Sequence, residues 1–374
     1  MKRFKKAAAM VMSMAMMVSM LSGCLSNDAN TTAAPDTTAA GTEGTTAGTT
    51  EQAKEPSAET IGLKLSTTIK ELELTTVPNG MGVQAMADYL EENSDELSLD
   101  MYLDGVLGSS TDEIIGGAQT GAFDMVALSF GNWGDYTDAF GALSIPYLFS
   151  STEQIYAYID GEMGDEIKEK VEADTDLVVL AFLDVGFRNL TNSRGPIKTP
   201  EDMKGLKLRT QNDRYQIAAM EALGATCSVI SFAELYSSLQ QGLVDAQENP
   251  IINTYTSKFY EVQKYMTLTR HVYTCTILAI SRDSLDSLTP EQQELVIAAS
   301  QKAQDTAREK LVKVETEYLE LLAKEMEIYD PTVEELEAFQ EVAKTSWDII
   351  EQDMGSEQFN RIVDAANAIA ESLK

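Results

Sequence analysis

Apolar and polar positions from residue 59 onward alternate in short blocks that switch between two periods. At 70–76 and 97–103 every second residue is apolar, as in half-buried strands. Between them, 82 to about 93 follows the helical repeat, so the three blocks predict a βαβ unit. A second helix is predicted at 112–120 and a strand at 123–128. The run 177–183 is apolar throughout, which predicts a strand buried on both faces. Strands that alternate with helices imply parallel α/β layers.

A second block begins near 186, and its helix starts are marked by capping chemistry. Thr199 precedes Pro200 at a first helical position, and Ser231 and Glu234 have the spacing of a capping box. The stretch 206–210 alternates as a short strand, so Arg209 falls near a strand's carboxyl end, where open α/β sheets bind ligands. Thr289 and Gln292 form another capping box before a helical pattern without Gly or Pro to about 326. Such a helix is roughly 55 Å long at 1.5 Å per residue, longer than one lobe. It is therefore expected to cross two. Thr332 and Glu335 cap a further helix to about 354, and 356–374 predicts a last one. No repeat of solenoid period and no sustained heptad is present.

The first residues change the picture of where the chain works. Lys2, Arg3, Lys5 and Lys6 precede an apolar run from 7 to 21, about 15 residues and short of the roughly 20 that span a bilayer. This predicts a signal peptide over 1–23. Leu21-Ser22-Gly23-Cys24 resembles the lipobox of bacterial lipoproteins, which makes Cys24 the expected lipidated residue and a lipid anchor the expected membrane attachment. Residues 24–58 are Thr, Ala, Gly, Ser and Glu with few aliphatic side chains, and predict a disordered tether. About 315 residues remain, enough for two lobes.

Charge and rare residues exclude several functions. The net charge of −32 argues against nucleic acid, whose phosphates need a basic face. It also repels an organic anion, so such a ligand needs a local positive site. The single histidine, His271, leaves little material for a zinc site or a His-based triad. Cys227 and Cys275 lie in apolar contexts that favour two buried thiols. No nucleophile elbow, Walker loop, dinucleotide fingerprint or His-Glu-x-x-His is present, so no cofactor, metal or catalytic residue is expected.

One block is distinctive. It comprises Gly186-Phe-Arg-Asn-Leu-Thr-Asn192, then Arg194-Gly-Pro-Ile-Lys-Thr-Pro-Glu-Asp-Met-Lys-Gly-Leu-Lys-Leu-Arg209. Ser231-Phe-Ala-Glu-Leu-Tyr236, Val244-Asp-Ala-Gln-Glu-Asn-Pro250 and Phe259-Tyr-Glu-Val-Gln-Lys-Tyr265 follow. These segments closely resemble the DctP-type solute-binding proteins of tripartite ATP-independent periplasmic (TRAP) transporters, with weaker agreement upstream at 107–108, 121–124 and 145–149. The resemblance implies a two-lobed α/β periplasmic-binding-protein fold with a cleft between the lobes. It implies that Arg209 forms a bidentate pair with a ligand carboxylate, a task that suits the planar, always charged guanidinium. Arg188, Phe232 and Asn249 are implied at the cleft, and Asn212 less firmly. On the first lobe the same alignment places Thr75, Ser109 and Ser129, with Trp133 close by. The chain has Ala246 where the family usually has glycine, which predicts local strain if that position needs a positive φ.

The resulting expectation is a non-enzymatic receptor at the outer face of the cell membrane. It would bind a dicarboxylate, sugar acid or keto acid and deliver it to the membrane permease subunits of a TRAP transporter. The lobes are expected at 59–185 plus 274–316 and at 186–273 plus 317–374. Two alternatives stand beside it: an ABC-type or chemoreceptor-coupled binding lipoprotein, which keeps the clamp and changes the partner, and a surface hydrolase or lyase that works through carboxylates.

Overall fold

The computed structural model describes residues 60–374; the expected signal peptide, Cys24 and the tether lie outside the described residues. Among the described residues ten strands occur in chain order: β1 Ile61–Thr67, β2 Leu97–Tyr102, β3 Met125–Ser129, β4 Leu177–Asn192, β5 Lys207–Thr210, β6 Thr226–Val229, β7 Ala246–Pro250, β8 Tyr265–Thr267, β9 Tyr273–Ser281 and β10 Glu327–Tyr329. Their order is β2-β1-β3-β9-β4-β7-β5-β6, with β8 on β4 and β10 on β8.

The arrangement joins two half-sheets through β4. Its residues from Leu177 to Phe187 pair antiparallel with β9, whereas those from Arg188 to Asn192 pair with β7. At about 3.3 Å per residue this strand runs about 50 Å, far longer than the 177–183 that hydrophobicity marked. The register breaks between Asp184 and Gly186, and Gly186 has φ +109°, a conformation other residues adopt only under strain. A side chain there would also strike the Glu315 carboxylate.

The helix Pro290–Leu322 starts on the predicted capping box, with Gln292 N–H donating to Thr289 Oγ1 at 3.3 Å and Thr289 N–H to Gln292 Oε1 at 3.0 Å. It ends four residues before the expected 326 because the chain turns at 323–326 to lay β10 beside β8. It packs on the helix Pro78–Asn93, on β4 and on the helix Ile251–Thr256, and so touches both half-sheets. Gly82 permits the first contact, since a Cβ there would lie 2.7 Å from the Ala303 carbonyl oxygen.

Several local expectations are corrected. The first strand is Ile61–Thr67, with Leu63 and Leu65 buried and pairing to β2 and β3. The predicted strand at 70–76 is a turn leading to the short helix Glu73–Thr76, because the Glu73 carboxylate takes the Lys70 N–H at 2.9 Å and closes a helical turn. Pro78 at the first helical position then starts the next helix, before Gly82. At Ser231 the hydroxyl donates to the Glu234 carboxylate at 2.8 Å instead of capping the backbone. The helix expected to 354 breaks into Val333–Ala343 and Trp347–Met354. Ala246 lies in extended β7 without a positive φ, so the expected strain is absent.

Leu63, Leu65, Met86, Val296 and Ala303 fill one core of the first half-sheet. Leu190, Leu206, Leu208, Met220 and Phe339 fill that of the second. The last helix, Ser356–Ser372, packs Phe359, Ile362 and Ala366 back toward the helix Thr152–Ile159, where Gln154 Nε2 donates to the Ala366 carbonyl at 2.8 Å. Cys227 and Cys275 are free thiols, and burial pushes Cys227 up to about 12.

Candidate functional site

The strand ends near the join of the two half-sheets bring polar side chains to one recess. The register of β7 against β4 sets Asn249 opposite Asn189 and Pro250 opposite Arg188, so Arg188 and Asn249 become neighbours. Arg209 comes from β5, which pairs with β7 at Gln247. Ser129 ends β3, and Phe232 opens the helix Phe232–Gln240. The recess holds about 90 Å³ and is lined by Thr68, Glu73, Asn79, Ser129, Asn132, Arg188, Arg209, Gln211, Phe232, Asn249, Asn253, Thr274 and Thr276, among others. An outer hollow of about 610 Å³ adjoins it and shares Thr68, Asn132, Arg209, Gln211 and Phe232.

Arg209 is 2 % exposed, and its Nε donates to the Ile230 carbonyl at 2.8 Å. Its two terminal nitrogens have no hydrogen-bond partner among the described residues, and no carboxylate lies within ion-pair distance. Every other arginine among the described residues has such a carboxylate. Burial lowers its pKa to about 10, so the group remains charged at neutral pH. A desolvated cation held at one nitrogen is a site for an anion with two oxygens.

Arg188 is in a different state. Its Nε and Nη2 both reach the Glu248 carboxylate, Nη2 also donates to the Glu248 carbonyl at 2.6 Å and to Asn249 Oδ1 at 3.2 Å, and Nη1 donates to Thr274 Oγ1 at 3.2 Å. Glu248 is fully buried, which alone would raise its pKa. The charge of Arg188 and hydrogen bonds from His271 and Arg188 outweigh that and hold it at about 2. His271 Nε2 lies 3.2 Å from Glu248 Oε2, and Nδ1 lies 2.9 Å from Thr269 Oγ1; burial lowers its pKa. Arg188 therefore lines the recess with its charge already compensated.

Asn249 Nδ2 donates to Gln247 Oε1, and Gln247 Nε2 to Thr191 Oγ1 at 2.7 Å, which fixes the amide that faces Arg188. Phe232 is half-buried and packs edge-on against Phe259, centroids 5.9 Å apart. The Ser129 hydroxyl is buried without a partner among the described residues.

The other expected positions lie elsewhere. Thr75 is exposed and does not line the recess, because residues 73–76 form a helical turn that brings Glu73 there instead; its hydroxyl donates to the Leu72 carbonyl at 3.3 Å. Trp133 lines neither space, being fully buried edge-on against Phe140 at 5.7 Å. Ser109 and Asn212 line the outer hollow only. Ser109 bonds Glu113 and Asn212 donates to Asp135 at 2.6 Å. Sequence reasoning passed over Glu73, Asn79, Asn132, Gln211 and Thr276, and also Glu248 and His271 behind the wall. Glu248 precedes Asn249 in the quoted run, and a buried partner for Arg188 was the available signal.

Among the described residues no group of three or more His, Cys, Asp or Glu could hold a metal ion. Among them no helix is long and apolar enough to cross a membrane.

Comparison with known proteins gives consistent results. The family model described as DctP, bacterial extracellular solute-binding protein, family 7, matches residues 73–353. The 2,3-diketo-L-gulonate-binding periplasmic protein of Escherichia coli is 38% identical over 58% of this chain and 66% of its own length. The C4-dicarboxylate-binding periplasmic protein of Rhodobacter capsulatus is 30% identical over 80% of this chain and 89% of its own. A crystal structure of a TRAP periplasmic solute binding protein from a Sulfitobacter species with bound β-D-galacturonate superposes with a TM-score of 0.75, at 28% identity, over 82% of this chain and 99% of that one.

Proposed function

Because the chain belongs to family 7 of the bacterial extracellular solute-binding proteins, we propose that it is a non-catalytic receptor that seats a small organic acid with its carboxylate on Arg209. The observation that carries this reading is the buried guanidinium of Arg209, held at Nε and without a carboxylate partner among the described residues. A planar fork meets two carboxylate oxygens with two parallel hydrogen bonds, and exclusion of water strengthens the pair. Asn249 and the Ser129 hydroxyl supply further hydrogen bonds, and Phe232 covers an apolar face of the ligand.

Two lobes would close on the ligand about the β4 break near Gly186 and along the helix Pro290–Leu322. The first lobe would comprise 59–185 and 274–316, and the second 186–273 and the segment after 316. Ligand that binds the closed form better shifts the population toward it. Closed protein would then dock on the membrane permease subunits of a TRAP transporter, with Cys24 as the lipid anchor that keeps it near them.

Isothermal titration of the folded protein with galacturonate, gluconate, erythronate, succinate and malate tests the reading. Arg209→Ala should weaken whichever acid binds by at least about a hundredfold, since an unpaired buried charge costs about 3–5 kcal/mol. Arg209→Lys should also bind poorly, because a point charge cannot replace the fork. A loss under tenfold for Arg209→Ala would sink the clamp.

A further inference from the structure

The relatives differ in the acids their names carry, so the class of ligand has to come from this chain's own recess. Only three of its lining residues are charged: Glu73, Arg188 and Arg209. Glu248 compensates Arg188 from behind, which leaves one cation to receive an anion. Glu73 takes the Lys70 N–H on Oε2, and its Oε1 has no hydrogen-bond partner among the described residues. The outer hollow repeats the pattern: its cations are Arg209 and the exposed Lys70, against Asp104, Asp112 and Asp135. Among the described residues a second carboxylate on the ligand finds no unpaired guanidinium in the recess, where Glu73 would repel it, and in the outer hollow three aspartates outnumber the one exposed lysine.

The remaining wall is neutral and rich in hydrogen-bonding groups. Thr68, Asn132, Gln211 and Thr276 line it with Asn79, whose Nδ2 donates to Thr276 Oγ1 at 3.1 Å. The buried Ser129 hydroxyl lacks a partner among the described residues, an arrangement costly to leave unmet. Groups that both donate and accept match alcohol hydroxyls, whereas an aliphatic tail would leave them unsatisfied.

Resting on the Arg209 clamp, we infer that the ligand is a polyhydroxylated monocarboxylic acid, of sugar-acid type, and that Glu73 disfavours dicarboxylates. The Glu73 carboxylate accepts hydroxyl hydrogen bonds and repels a second anion.

Titration calorimetry on the unaltered protein, Glu73→Gln and Arg209→Ala separates the claims. The probes are gluconate, galacturonate, glucuronate and erythronate against succinate, malate and 2-oxobutyrate. At least one hydroxylated monocarboxylate should bind ten times more tightly than every dicarboxylate and than 2-oxobutyrate. Glu73→Gln, which keeps an acceptor for the Lys70 N–H, should narrow the gap to succinate and malate by at least tenfold. Thermal unfolding of each variant verifies the fold. Equal or tighter binding of a dicarboxylate or of 2-oxobutyrate by the unaltered protein overturns the class, as does no binding of any hydroxylated probe at millimolar concentration. An unchanged gap in folded Glu73→Gln overturns the role of Glu73. Binding that survives Arg209→Ala instead removes the clamp on which the inference stands.

Discussion

Replacing Arg209 by methionine should move binding and stability in opposite directions. The guanidinium is 2 % exposed and makes one hydrogen bond among the described residues. Its pKa falls from 12.5 to about 10, chiefly through burial, which corresponds to a penalty on the charged form on the order of 3 kcal/mol. A base with a depressed folded-state pKa weakens the fold at every pH below that value and recovers only above it, so the penalty is constant near neutrality. Methionine approximates the stem and carries no charge. It also abandons the Ile230 carbonyl, at a cost of about 1 kcal/mol. The ligand-free variant should therefore be more stable than the parent by roughly 2 kcal/mol in urea at pH 7, while carboxylate affinity falls at least a hundredfold. A variant less stable than the parent by 1 kcal/mol or more would refute the reasoning, for then the guanidinium would be stabilising the empty protein through contacts other than those seen.

Glu248→Gln should have the opposite effect on stability, a loss of about 3–5 kcal/mol in urea at pH 7, because it leaves the buried Arg188 charge uncompensated. Glu248 is held at about 2, below its ordinary 4.5, so its contribution is present above about 4.5 and is lost as pH falls toward 2; the deficit of the variant should shrink over that window. Asp184 takes the hydroxyls of Tyr273 and Tyr156 at the β4 break, yet burial pushes it up to about 6. A carboxyl raised in the folded state favours folding at low pH and loses that advantage as pH rises from about 4 through 6. Asp184→Asn should thus gain on the parent across that interval, by up to roughly 2–3 kcal/mol at pH 7.5; an equal difference at pH 4 and pH 7.5 would show that Asp184 does not titrate there.

Periodicity read the architecture well where one segment's burial follows from its own pattern. The alternation of strands and helices, the capping box at Thr289 and the long helix that touches both half-sheets were visible in this way. It failed where the decisive partner lies far along the chain. The strand through Gly186 extends to Asn192 because β7 and β8 pair with its second half, a fact absent from the residues 177–183 themselves. Residues 70–76 alternate like a strand, but the Lys70 N–H bonded to the Glu73 carboxylate and the backbone bonds of Glu73, Leu74 and Thr75 to the carbonyls three residues back make them a turn and a helix. The turn matters at the site, because it carries Glu73, the one acidic group lining the inner recess, and leaves Thr75, which the family resemblance implies there, exposed. The second half of the site was legible because its residues lie at strand ends in a dense motif block. Even there the motif treats Arg188 and Arg209 as two cations, and only the buried Glu248 distinguishes them. Two guanidiniums in one wall amount to one net charge, and that difference turns a plausible dicarboxylate site into one matched to a single carboxylate.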